Sequence, residues 1–183
     1  EIDIPEAYII PQGWWTIINL LQLNKVEMTR LKNDSTLTVN SYRIKNYDTR
    51  TQAYEGHYQH YNVEVDNYEA QISFQKGDYF IHTNQNALRY LIETLEPQAP
   101  DSFFNWNFFD TILQQKEGFS PYVWEDKALD LLEANPDLKK EFDLKKIDDE
   151  QFASSWYAQL DWLYKQSEHY EKAHLQYPVY RIF

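Results

Sequence analysis

The residues with most to offer chemically are five histidines and a few clustered carboxylates. The densest group is Glu55-Gly56-His57-Tyr58-Gln59-His60. Two imidazoles three positions apart beside a carboxylate can hold zinc when all lie on one helical face. The flanking residues read as loop and strand, where side chains three apart point to opposite faces, so the preferred reading has His57 and His60 hydrogen-bonding a turn. Asp101, Asp110 and Glu117 form a second group. They could serve acid–base work, but the favoured alternative is a turn cap at Asp101 and a solvated helix face for the other two. No histidine is followed by Glu three residues on, and the chain contains no HExxH, nucleophile elbow, phosphate loop or dinucleotide fingerprint. These groups name no reaction, and no catalytic or metal-ligating residue is assigned.

Aromatic residues crowd a third segment, Asp101–Asp126, which reads DSFFNWNFFDTILQQKEGFSPYVWED. Its Phe, Tyr and Trp side chains could stack a sugar or a peptide side chain, although large aromatics at such spacings more often build a core. Indoles and amides inside such a run need polar partners, and the Glu55–His60 loop has imidazoles and a carboxylate to supply. The loop and the run are therefore expected to meet. His57 or His60 would lie near Trp106, Asn107 or Asp110, with Glu55 beside them, as a seam between a β unit and a helical half. That seam is either structural or a ligand site.

The elements that must position these residues follow from hydrophobic period. Tyr8-Ile9-Ile10 closes at Pro11 as a short strand, and Trp14, Ile17, Ile18 and Leu21 recur at helical spacing. Val26–Leu31 alternates as a strand does, and a strand–helix–strand start usually makes a parallel pair with a right-handed crossover. Residues 36–82 read as an antiparallel β unit with turns at Lys32–Ser35, Asp66-Asn67 and Lys76-Gly77-Asp78. Leu88, Leu91, Ile92 and Leu95 mark a helix that ends before Pro97. Ser120-Pro121 starts another, which stops at Asn135-Pro136. Asp148-Asp149-Glu150 precedes a stripe of Phe152, Trp156, Leu160, Leu163 and Tyr164. The apolar tail from Tyr177 to Phe183 docks as a last strand. The fold class is α+β: a strand–helix–strand start, a central antiparallel β unit and a helical C-terminal half. A small doubly wound sheet at the start is the alternative.

Bulk properties fit this class. At 183 residues with 17% aromatics the chain can bury a sizeable core, and without a Gly-, Ser- or Pro-rich linker it reads as one domain over 1–183. A net charge of −12 argues against nucleic acid, whose phosphates need a basic stripe. No apolar run is long enough for a membrane span, and the absence of cysteine excludes disulfides and thiolate zinc sites. The start at Glu1 without Met suggests a piece excised from a longer chain.

Several phrases in order carry a resemblance: Tyr8-Ile9-Ile10-Pro11, Tyr54–His60, Gly77-Asp78-Tyr79, Leu95-Glu96-Pro97, and the run from Asp101 through Gln115–Gly118 to Glu125-Asp126. From about residue 5 to 183 the chain resembles the region following the catalytic domain in large bacterial zinc carboxypeptidases of the carboxypeptidase A-like family, particularly of Bacteroidetes type. The resemblance implies an accessory C-terminal domain of a secreted, periplasmic or cell-surface peptidase. Its partner would be the peptidase domain of the same chain, and its ligand, if any, a peptide or glycan. Zinc would sit in that peptidase domain, with no cofactor in this fragment. The family's His-x-x-Glu with a later His has no counterpart here, so no catalytic residue carries over. A glycan or cell-wall peptide binding module using surface aromatics is the alternative function.

Overall fold

Pro11 ends an apolar strand whose four residues are all buried, β1 (Ala7–Ile10), near the middle of a sheet. The computed structural model describes residues 2–116 and 118–183. It is an α+β fold with two compact units: residues up to Gln114 together with Ala173–Phe183, and Gln115–Lys172.

The first unit contains β2 (Thr29–Arg30), β3 (Ser35–Thr49), β4 (His60–Phe74), β5 (Tyr79–His82) and β6 (Tyr180–Ile182) in addition to β1. Their order in the 6-stranded sheet is β2-β5-β1-β6-β3-β4. Every pairing among the described strands is antiparallel. The parallel pair expected at the start does not form, because β5 lies between β1 and β2 and bonds to both. The doubly wound alternative falls with it. β2 keeps only two residues of the expected Val26–Leu31 strand. The tail enters as β6, pairing with β1 and touching β3.

The second correction concerns Asp66-Asn67. No turn occurs there: both residues lie inside the 15-residue strand β4, opposite Arg43 and Tyr42. The alternation of apolar residues changes parity at this point, because the two ends of the β3–β4 hairpin serve opposite faces of the sheet. Tyr42, Ile44 and Val63 belong to the main core with Tyr8 and Ile10, whereas Val39 and Phe74 pack with Ile9 on the other face. The main core is closed by α1 (Trp15–Leu23) through Ile17, Ile18 and Leu21, and by α2 (Leu88–Leu95) through Leu91 and Leu95.

The aromatic run is not one structural feature. Phe103, Phe104 and Phe109 fill the main core of the first unit from a series of turns that ends in a 3₁₀ helix, Asp110–Leu113. Trp124 is buried in the second unit, hydrogen-bonded to Leu160 O at 3.0 Å. That unit comprises α3 (Pro121–Ala134), α4 (Pro136–Asp148), α5 (Glu150–Ser154) and α6 (Trp156–Lys165). The stripe expected from Phe152 to Tyr164 is broken at Ser155, whose side chain caps α6 by accepting from Ala158 N. Trp156 is consequently exposed rather than packed.

Candidate functional site at the end of the long hairpin

The β3–β4 ladder ends at the pair Thr49↔His60, and the chain continues through Arg50 N, which donates to Gln59 O at 3.0 Å. Beyond this, Tyr54 and His57 exchange two backbone hydrogen bonds of 2.9 Å around Glu55 (φ 52°) and Gly56 (φ 81°). Positive φ at both central residues is the signature of a type I′ hairpin turn, whose twist matches that of flanking strands. Glycine suits Gly56; Glu55 is an uncommon occupant of left-handed backbone. Its side chain is exposed at the tip.

This geometry sends the two imidazoles into different roles. His57, half-buried, lies edge-on to Trp106 at 5.6 Å between ring centroids and near Phe108 at 5.8 Å. His60 is 5% exposed and has both ring nitrogens engaged. Its Nδ1 is 2.9 Å from Thr49 Oγ1 and its Nε2 is 3.0 Å from Asp110 Oδ1. A carboxylate only accepts, so the Nε2–H donates to Asp110. The ring packs against Tyr47 and Phe104. Burial first, and the Asp110 charge second, push the Tyr47 hydroxyl above its ordinary pKa.

Asn107 completes the seam from the left-handed region that asparagine tolerates, at φ 66°. Its Nδ2 donates to Tyr58 O at 2.9 Å and lies 3.2 Å from His60 Nε2. His60 N donates to Asn105 O at 2.9 Å, tying the start of β4 to the turns. The structure thus gathers His57, His60, Trp106, Asn107 and Asp110 within the first unit, joining the hairpin end to the 103–110 turns rather than to the helical part. Glu55 stays at the tip outside this network. Asp101 is exposed, and Glu117 lies outside the described residues. Among the described residues no three His, Asp or Glu side chains gather as a metal site requires.

At the hairpin end a cleft of about 600 Å³ opens, lined by Thr49, Arg50, Gln52, Tyr54, Gln59 and Tyr61 with two smaller neighbours. The Arg50 guanidinium sits over the Tyr61 ring at 5.1 Å. Arg50, Gln59 and Tyr61 also wall an adjoining cleft of about 230 Å³ that reaches His60, Gln98 and Asn105. Asn105 is 6% exposed and donates to Ala99 O and Pro100 O, while its buried Oδ1 has no donor among the described residues. Of these lining residues the sequence marked His60 as a site candidate and Tyr54 and Gln59 only as parts of the Tyr54–His60 phrase. Hairpin register gathers them, and no local spacing announces it.

A buried charged group in the first unit was equally unannounced. Glu96 and Arg181 are 1% and 3% exposed and lie 3.2 Å apart, Oε1 to Nε. Tyr8 OH donates to Glu96 Oε1 at 2.7 Å, and Arg181 Nη1 donates to the Tyr42 hydroxyl. Glu96 Oε2 has no partner among the described residues. A carboxylate and a guanidinium this deep require each other.

Over 99 residues, 54% of its length, the chain is 29% identical to carboxypeptidase 2 of the fungus Trichophyton tonsurans. It spans only 18% of that protein's length. No family model and no solved structure matches. The similarity relates part of the chain to a carboxypeptidase and extends no further. Among the described residues no helix is long and apolar enough to cross a membrane.

Proposed function

We propose that this chain is a non-catalytic accessory module of a secreted zinc metallocarboxypeptidase, packing on the peptidase domain of the same protein or shaping access to it. The observation that carries the reading is the partial similarity to a carboxypeptidase in a chain whose sequence has no His-x-x-Glu zinc motif. His60 is 5% exposed between Tyr47 and Phe104 and bonds Thr49 and Asp110, which fits a ring that ties the hairpin end to the turns beside it. The partial similarity to a carboxypeptidase supports the link to peptidases. In this reading zinc and the catalytic residues belong to the peptidase domain, and the module works at the cell surface, in the periplasm or outside the cell. The purified 183-residue chain, incubated with zinc and C-terminally free peptides, is expected to release no amino acid. Hydrolysis abolished by a chelator would overturn the proposal.

A second reading, a binding module for glycan or cell-wall peptide, is favoured by where the exposed aromatics lie. Of the eight aromatics in the run four are buried, three are partly buried and Tyr122 alone is exposed, so the run is not a platform. Tyr54, Tyr58 and Tyr61 are exposed at the hairpin end, and two of them line its cleft. Isothermal titration with neutral and acidic oligosaccharides tests this reading; no binding by either class removes it.

A further inference from the structure

We propose that the hairpin-end cleft binds a saccharide bearing a carboxylate, with Arg50 holding the carboxylate and Tyr54 and Tyr61 contacting the sugar ring. This rests on the glycan-binding reading and names its ligand class and site. The cleft's volume of about 600 Å³ lies in the range of small-ligand sites. Among the described residues Arg50 is the one charged group that lines it, and no carboxylate does. In a chain with 29 acidic and 17 basic residues, an arginine without an ion pair among the described residues stands ready for an outside anion. A guanidinium grips a carboxylate through two parallel hydrogen bonds, and its position over Tyr61 fixes where that fork lies.

The remaining lining residues suit a sugar. Tyrosine offers an apolar ring face with a polar tip, which matches the C–H face and hydroxyl rim of a pyranose. Thr49, Gln52 and Gln59 add neutral donors and acceptors. Asn105, whose buried Oδ1 has no donor among the described residues, lines the adjoining cleft. A peptide strand is disfavoured, because the backbone at this end of β4 is already bonded. His60 N donates to Asn105 O, and Val63 O accepts from Gln98 Nε2 at 2.9 Å. The net charge of −12 repels dense polyanions, which confines the ligand to short or sparsely charged saccharides.

The test is isothermal titration of the full 183-residue chain with tetragalacturonate, tetramannuronate and a hyaluronan tetrasaccharide. Methyl-esterified tetragalacturonate, cellotetraose and tetraglutamate serve as controls. At least one acidic saccharide should bind, and esterification should weaken it by about tenfold or more, the scale of a charge-assisted contact. Arg50→Gln should reduce the acid to the ester's affinity with the melting temperature unchanged, and Tyr54→Ala should weaken both forms. Equal binding of acid, ester and neutral sugar would overturn the carboxylate assignment and leave a glycan site. Preferential binding of tetraglutamate would make the site a peptide site. Failure of every saccharide to bind would overturn both the assignment and the glycan reading.

Discussion

Polar side chains held inside the first unit govern how it responds to substitution and to pH. His60 is enclosed, so truncating it strands Thr49 and Asp110 and opens a void between Tyr47 and Phe104. His60→Ala is expected to cost about 2–3 kcal/mol in denaturant melts. The Asp110 side chain is 44% exposed, so water replaces much of what it provides, and Asp110→Ala should cost only about 1 kcal/mol. A reversed order would show that the pair acts through charge rather than packing. The tyrosines around Glu96 act in a different pH window. Burial first, then the Glu96 charge, raises the hydroxyl pKa of Tyr8 and Tyr42, with Arg181 opposing; Tyr177 is raised for the same leading reasons. The folded state therefore holds these protons more tightly than the unfolded chain does. Their contribution is complete below the unfolded value of about 10 and is lost as pH rises above it. Thermal melts should be insensitive to these groups up to about pH 10 and fall beyond it. Tyr8→Phe should flatten that alkaline decline while lowering stability at neutral pH, because Glu96 loses a donor. An unchanged alkaline slope in Tyr8→Phe would rule Tyr8 out as its source.

At the scale of elements, the turn that presents the hairpin end is under local strain. Glu55 holds a left-handed conformation, which costs a non-glycine, non-asparagine residue on the order of 1 kcal/mol. Glu55→Asn should therefore raise the melting temperature, and Gly56→Ala, at φ 81°, should lower it although nothing lies within 4 Å of the added methyl. A drop in stability for Glu55→Asn would mean that the turn is held by its surroundings and not by its own dihedrals. Legibility in the sequence followed period. β1 and α1 were readable because their apolar residues recur without interruption. The Asp66-Asn67 misreading arose because a parity change looks like a turn when a long strand switches the face it buries. α4 went unseen because only Leu138 and Phe142 of its 13 residues are buried, too few for a period to stand out. The break at Ser155 was hidden for the opposite reason: apolar residues continue at helical spacing across it. For the candidate site, the imidazole and amide partners were legible as polar groups needing one another. Arg50, Tyr54 and Tyr61 were not, since only the hairpin register brings them to one cleft.

For the molecule as a whole, chain order and compactness disagree in an informative way. The helical unit, Gln115–Lys172, interrupts the sequence of the sheet unit, which resumes at Ala173 to deliver β6. Each unit ties its own crossing points. In the sheet unit Leu175 N donates to Ile112 O at 2.7 Å, and in the helical unit Lys116 N donates to Glu171 Oε2 at 2.8 Å. The chain thus leaves and re-enters the sheet unit at neighbouring points, the arrangement under which an inserted segment can be replaced without stretching its host. The sheet unit also has its own core, from Tyr8 and Ile10 to Tyr177 and Val179, with none of the described residues of 115–172 in it. Joining Gln114 to Ala173 through a short Gly-Ser linker should therefore leave a cooperatively melting protein with the β-sheet circular dichroism signal and the same hairpin-end cleft. The reciprocal piece, 115–172, has a core of its own around Trp124, Phe142, Phe152 and Leu160, and should be helical when expressed alone. Loss of cooperative melting in the joined variant would show that β6 needs the helical unit to find its place between β1 and β3, and that the two units fold as one.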